Sequence, residues 1–159
     1  MADVREARAI YLERDAFRVT TGSGRTVLID ALPEDGGQPG GQSPMELLLV
    51  ALSGCTGIDV VSIMRKQRQD VTGYEVRVTG ERRTDEHPKI YTRIAVEHVV
   101  RGRNLNVAGV ARAVELSATK YCSVSAMLER AAPIEVSYRV IDEATGAETT
   151  GTVQTAATV

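Results

Sequence analysis

The chain carries two cysteines, Cys55 and Cys122, 67 residues apart, and they are its strongest candidate nucleophiles. A thiol attacks, or enters redox chemistry, as the thiolate, so what surrounds each sulfur decides its use. Cys55 stands in Ser53-Gly54-Cys55-Thr56-Gly57. Two glycines in a helix interior cost about 1 kcal/mol each relative to alanine. Either they let another backbone approach closely, or they leave room for a small molecule beside the thiol. Cys122, in Lys120-Tyr121-Cys122-Ser123-Val124, falls near a helix start. There unpaired N–H groups and the helix dipole favour a thiolate, and Lys120 adds a positive charge. On spacing alone, Cys55 reads first as a small buried residue, and the same alternative stays open for Cys122.

Asp59 follows Cys55 by four residues and so shares its helical face. As a lone neighbour a carboxylate opposes thiolate formation; paired with an arginine it would aim that arginine at the sulfur. The alternative is a buried aspartate hydrogen-bonded for structure. Glu46 lies nine residues before Cys55, about 900° around a helix and hence on the opposite face. His87 precedes Pro88 in a loop, and His98 falls in register with Ile94, Val96 and Val100 as a half-buried strand residue. No C-x-x-C or H-x₃-H spacing points to zinc, so no metal site is expected.

These residues need elements to position them. Ser43-Pro44-Met45-Glu46 is a capping box with proline at the first helical position. It predicts a helix to about Arg68, apolar on every side in its first half, as in a helix surrounded by protein. Short strands are expected at Ala7–Leu12, Phe17–Val19 and Thr26–Ile29, with a loop over 33–42. Alternation predicts an antiparallel pair around Tyr74–Val78 and Ile90–Val100. Asn106 caps a second helix, a third begins near Cys122, and strands follow at Ile134–Val140 and Thr149–Val153, before a small polar tail read as disordered. Segregated runs of strands and helices argue for α+β rather than a wound βαβ sheet.

At 159 residues the chain suits a single domain over 1–159, with its core at about 7–141. Its net charge of -2 offers no global field to nucleic acid or an anionic membrane. The stretch Leu47–Met64 is apolar enough to raise the membrane question, but Asp59 near its centre would cost about 3 kcal/mol in a lone span. With no leader pattern at the N-terminus, a cytoplasmic location is expected, where two cysteines are free thiols or a redox pair.

The run Gly41-Gln42-Ser43-Pro44-Met45-Glu46-Leu47-Leu48-Leu49, followed by Ser53-Gly54-Cys55, resembles the central-helix motif of the OsmC/Ohr family. Lys120-Tyr121-Cys122-Ser123-Val124 resembles that family's second-cysteine element at a similar separation. Ile58-Asp59-Val60-Val61-Ser62-Ile63 and Asp85-Glu86-His87-Pro88-Lys89 are similar to the YhfA-like branch. The resemblance, over roughly 7–141, implies an α+β fold in which a long central helix packs on antiparallel sheets within an intertwined homodimer. It implies a peroxidase for organic hydroperoxides. Cys55 would attack the O–O bond, Cys122 would resolve the sulfenic acid as a disulfide, and a dithiol would reset the pair without cofactor or metal.

Family peroxidases also use an arginine paired with a glutamate beside the reactive cysteine. The arginine position falls on Arg14, which otherwise reads as a solvated turn residue, and Met45 occupies the glutamate position. Asp59 is expected to replace that glutamate. With the pair half present, the alternatives are a relative without peroxidase activity that binds a small electrophile or thiol ligand, and a structural dimer with two inert thiols.

Overall fold

The computed structural model describes residues 2–33 and 40–155. The chain divides into two compact units, Met1–Leu48 and Leu49–Val159. The first holds an antiparallel sheet of β1 (Ala7–Glu13), β2 (Ala16–Thr21) and β3 (Thr26–Ile29), in that order. Arg14 and Asp15 form the turn between β1 and β2, with Arg14 at φ 51°. Gly41 passes so close to β3 that a Cβ there would stand 2.4 Å from the Leu28 carbonyl oxygen, so only glycine fits. That approach lets Gln42 bridge to Ile29, and the expected loop over 33–42 therefore ends in sheet-like pairing. Residues 34–39 of that loop lie outside the described residues.

The helix α1 spans Pro44–Lys66. Its capping box forms: the Ser43 N–H and Oγ–H both donate to Glu46 Oε2, at 2.9 and 2.8 Å, while the Glu46 N–H donates to Ser43 Oγ at 3.3 Å. These bonds hold the Glu46 carboxyl below its ordinary pKa. Glu46 is thus occupied at the helix start. Ser43→Ala is expected to lower stability by about 1 kcal/mol, the usual worth of such a cap. A urea transition shifted to a lower midpoint with an unchanged slope would show it.

Within one chain α1 buries a single stripe of Leu52, Thr56, Val60 and Met64. Val50 remains 56% exposed and Ile58 70%. A single copy of the chain covers only one face of a helix that is apolar on several.

The second unit is built on a four-stranded sheet in the order β4 (Asp70–Arg82), β5 (Tyr91–Arg103), β6 (Ile134–Asp142), β7 (Glu148–Val153). β4 pairs antiparallel with β5, as the alternation predicts. β6 pairs parallel to β5, opposing Val136 to Val96, and β7 returns antiparallel. The architecture is α+β, but one strand pair is parallel. The segment between β5 and β6 carries helices α2 (Val107–Leu116) and α3 (Ser123–Leu128), and a helical connection of that length is what a parallel return requires. Asn106 caps α2 by accepting from the Gly109 N–H at 3.0 Å. Ile94, Val96, Val100, Val110, Val114, Val136 and Val140 make the core of this unit. Thr155, in the tail expected to be disordered, is buried with its hydroxyl on the Ile134 carbonyl; residues 156–159 lie outside the described ones.

Candidate active site around Cys55 and Cys122

Between α2 and α3 the chain makes a π-helical turn, Ser117–Tyr121, which the Cys122 N–H closes by donating to the Ser117 carbonyl at 2.9 Å. A π turn inserts a residue into the helical repeat and often marks a functional position. Here it presents both Ser117 and Cys122 to α1. The sulfurs of Cys55 and Cys122 and a carboxylate oxygen of Asp59 all lie within 4.8 Å of one another. Both thiols are free, Cys55 half-buried and Cys122 3% exposed.

Cys122 caps α3, its Sγ accepting from the Ser125 N–H at 3.4 Å. The helix-start argument alone predicts an acidic thiol. Burial outweighs it: desolvation pushes the Cys122 thiol above its ordinary pKa, with Cys55 adding to the rise and the Ser125 bonds opposing it. Lys120 does not compensate, since its Nζ lies over the Tyr121 ring, 5.3 Å from the centroid.

Asp59 is held by a buried chain of hydrogen bonds. Ser117 Oγ–H donates to Asp59 Oδ2 at 3.0 Å, and Thr56 Oγ1 lies 2.8 Å from Ser117 Oγ. Thr56 Oγ1 also meets His98 Nε2 at 3.4 Å, and His98 Nδ1 meets the Tyr74 hydroxyl at 2.7 Å. An ionised carboxylate only accepts, and each hydroxyl has one hydrogen, so the whole chain has one direction. Ser117 uses its hydrogen on Asp59, hence Thr56 donates to Ser117 and must accept from His98 Nε2–H. Neutral His98 then accepts at Nδ1 from Tyr74. Burial supports the neutral ring by pushing the His98 pKa down to about 4. Burial and then the Asp59 charge push the Tyr74 pKa up, keeping its proton in place.

The two glycines beside Cys55 serve different ends. A Cβ at Gly57 would touch Val76 of β4 at 3.4 Å, a close-packing position, whereas one at Gly54 would meet nothing within 4 Å. Asp59 also borders a cleft of about 340 Å³ lined by Ile58, Ser62, Ile63, Lys66, Leu116 and Tyr121.

Of the sequence-predicted residues, the structure gathers Cys55, Asp59 and Cys122. Arg14 belongs to the first unit, at the β1–β2 turn, where it borders a cleft with Leu12, Leu28 and Leu32. Within its own unit Asp59 makes no ion pair among the described residues; its partner is Ser117. His98 is fully buried rather than half-buried. Sequence reasoning missed Thr56, Ser117 and Tyr74. The one available signal was a histidine amid Val96, Val99 and Val100, since a ring buried there requires polar partners.

A long capped helix bearing one cysteine, with the second cysteine at a later helix start, defines a two-thiol α+β protein. A family model described as OsmC-like protein matches residues 36–137, and the chain belongs to that family. It is 47% identical over 136 residues to protein YhfA of Escherichia coli, covering 86% of this chain and 98% of the relative. The solved structure of a hypothetical protein from Aquifex aeolicus is 32% identical, with a TM-score of 0.78 over 89% of this chain and 99% of the other. The organic hydroperoxide resistance protein OsmC of Legionella pneumophila shares the fold at 16% identity, with a TM-score of 0.64 over 87% of this chain and 98% of that one.

Proposed function

We propose that the chain is a cytoplasmic two-cysteine peroxidase that reduces organic hydroperoxides and is reset by a dithiol. The observation that supports this best is the pair of free sulfurs within 4.8 Å of each other, one half-exposed and one buried. The Cys55 thiolate attacks the outer peroxide oxygen; the O–O bond breaks, an alcohol leaves with a proton, and Cys55 becomes a sulfenic acid. The Cys122 sulfur then displaces hydroxide from that sulfenic acid, giving a disulfide and water. An external dithiol returns both thiols and departs as its own disulfide. Asp59, held through Oδ2 by Ser117, stands near enough to take the Cys55 proton and return it to the alkoxide. Arg14 is assigned the guanidinium role by family resemblance alone. Its relative from Legionella pneumophila, described as a hydroperoxide resistance protein, lends support through the shared fold.

The decisive experiment mixes reduced protein with one equivalent of an organic hydroperoxide and counts thiols by stopped flow. Loss of two thiols per chain in step with one hydroperoxide is expected; slow loss independent of hydroperoxide would sink the reading.

We further infer a homodimer, because the exposed apolar face of α1 at Val50 and Ile58 calls for cover. Light scattering should give twice the 17.1 kDa chain mass, and Val50→Asp should shift it toward the single chain. A monomeric wild type would overturn this.

A further inference from the structure

We propose that Cys55, Asp59 and Cys122 form a binding site for one thiophilic divalent cation of the zinc type, occupied when both thiols are reduced. The three ligand atoms already stand within 4.8 Å of one another. Tetrahedral zinc bonds sulfur at about 2.3 Å and carboxylate oxygen at about 2.1 Å, which places ligand atoms roughly 3.4–3.8 Å apart. Small side-chain rotations therefore close the set. Two sulfurs select a soft cation over magnesium or calcium, whose sites are built from oxygen.

The surroundings fit a ligand set rather than a chance cluster. Metal-binding carboxylates are oriented by hydrogen-bond partners outside the ligand shell. Asp59 has such support: Ser117 donates to its Oδ2, and Thr56, His98 and Tyr74 extend the support into the core. Two thiolates and a carboxylate carry three negative charges, and within its unit Asp59 has no ion-paired cation among the described residues. A divalent ion offsets two of those charges.

Binding is a simple exchange: the hydrated cation sheds water, two S–H bonds break, two metal–sulfur bonds and one metal–oxygen bond to Asp59 form, and two protons leave to solvent with no change of oxidation state. The same sulfurs serve peroxide reduction in the proposed function, so cation and hydroperoxide exclude each other, but the site does not depend on that activity.

The test uses the full chain, reduced and metal-free. Titration with zinc alone should give one ion per chain with release of two protons, read from the buffer dependence of the heat. Cobalt should give the intense visible bands of a tetrahedral site and a sulfur-to-cobalt charge-transfer band. Cys55→Ser and Cys122→Ser should each weaken binding at least a hundredfold. Asp59→Asn should weaken it at least tenfold, which separates a three-ligand site from a bare dithiol. His98→Gln should cost about tenfold through the supporting chain. An octahedral or sulfur-free cobalt spectrum in the wild type, or wild-type affinity in a folded Asp59→Asn, would overturn the proposal. Hydroperoxide consumption by the metal-free protein is read separately, so failure of the metal site leaves the peroxidase reading standing, and the reverse.

Discussion

Cys55→Ser is expected to lower hydroperoxide consumption by about a thousandfold or more, because an alcohol at neutral pH supplies almost no anion and is a poor nucleophile toward oxygen. Cys122→Ser is expected to behave differently. It should consume one equivalent at close to the wild-type rate and then stop, with Cys55 held as the sulfenic acid. The asymmetry follows from burial. Cys55 is half-exposed beside Gly54, where nothing crowds a side of the helix, while Cys122 is 3% exposed and its thiol is pushed up by desolvation. The more accessible sulfur meets the peroxide; the buried one meets a sulfenic acid that is already its neighbour. Mass spectrometry with a sulfenic-acid trap reads the trapped species directly. If the trap instead labels Cys122 in a Cys55→Ser protein that still turns over, the two roles are exchanged.

The second large effect is on stability in acid. His98 is fully buried, and burial lowers its pKa from 6.5 to about 4. Below pH 6.5 the unfolded chain takes up a proton at this residue that the folded chain refuses, so stability falls as pH falls. The loss begins near pH 6.5 and levels off below about pH 4, where the folded protein also takes the proton. A gap of this size corresponds to about 3 kcal/mol. Protonation would also reverse a bond, since a doubly protonated ring has no acceptor for the Tyr74 hydroxyl. The other ionisable groups along this chain are Tyr74, whose proton burial keeps in place, and Asp59 at the far end. Urea unfolding from pH 7 to pH 4 should show the decline, and His98→Gln should remove that part of the slope. A variant that keeps the full slope would place the proton uptake elsewhere.

Much of this fold is local and therefore legible. Ser43 and Glu46 lie three residues apart and need nothing distant to form their box. Strand alternation located β4, β5 and β6, although β5 also buries His98, Val99 and Val100 in succession. The relation of Asp59 to Cys55 is also local, a consequence of 3.6 residues per turn. What spacing could not supply was direction. That β6 runs parallel to β5 depends on how the segment between them crosses the sheet, and no residue pattern within either strand records it. Likewise, the chemistry expected at Cys122 from its helix start was reversed by how deeply the fold buries it. Burial depends on everything packed around an atom.

By itself, then, the sequence determined the capped helix, the phase that sets Asp59 beside Cys55, and the presence of a second cysteine at a later helix start. Each is a property of residues a few positions apart. Only the tertiary structure decided that Cys122 and Ser117 reach α1 through a π turn, and that Tyr74, His98 and Thr56 join them in one directed chain. Those contacts link β4, β5, α1 and the α2–α3 connection, across up to 61 residues from Thr56 to Ser117. A hydrogen bond between such distant positions exists only once the core has brought them together, and no local pattern foretells it.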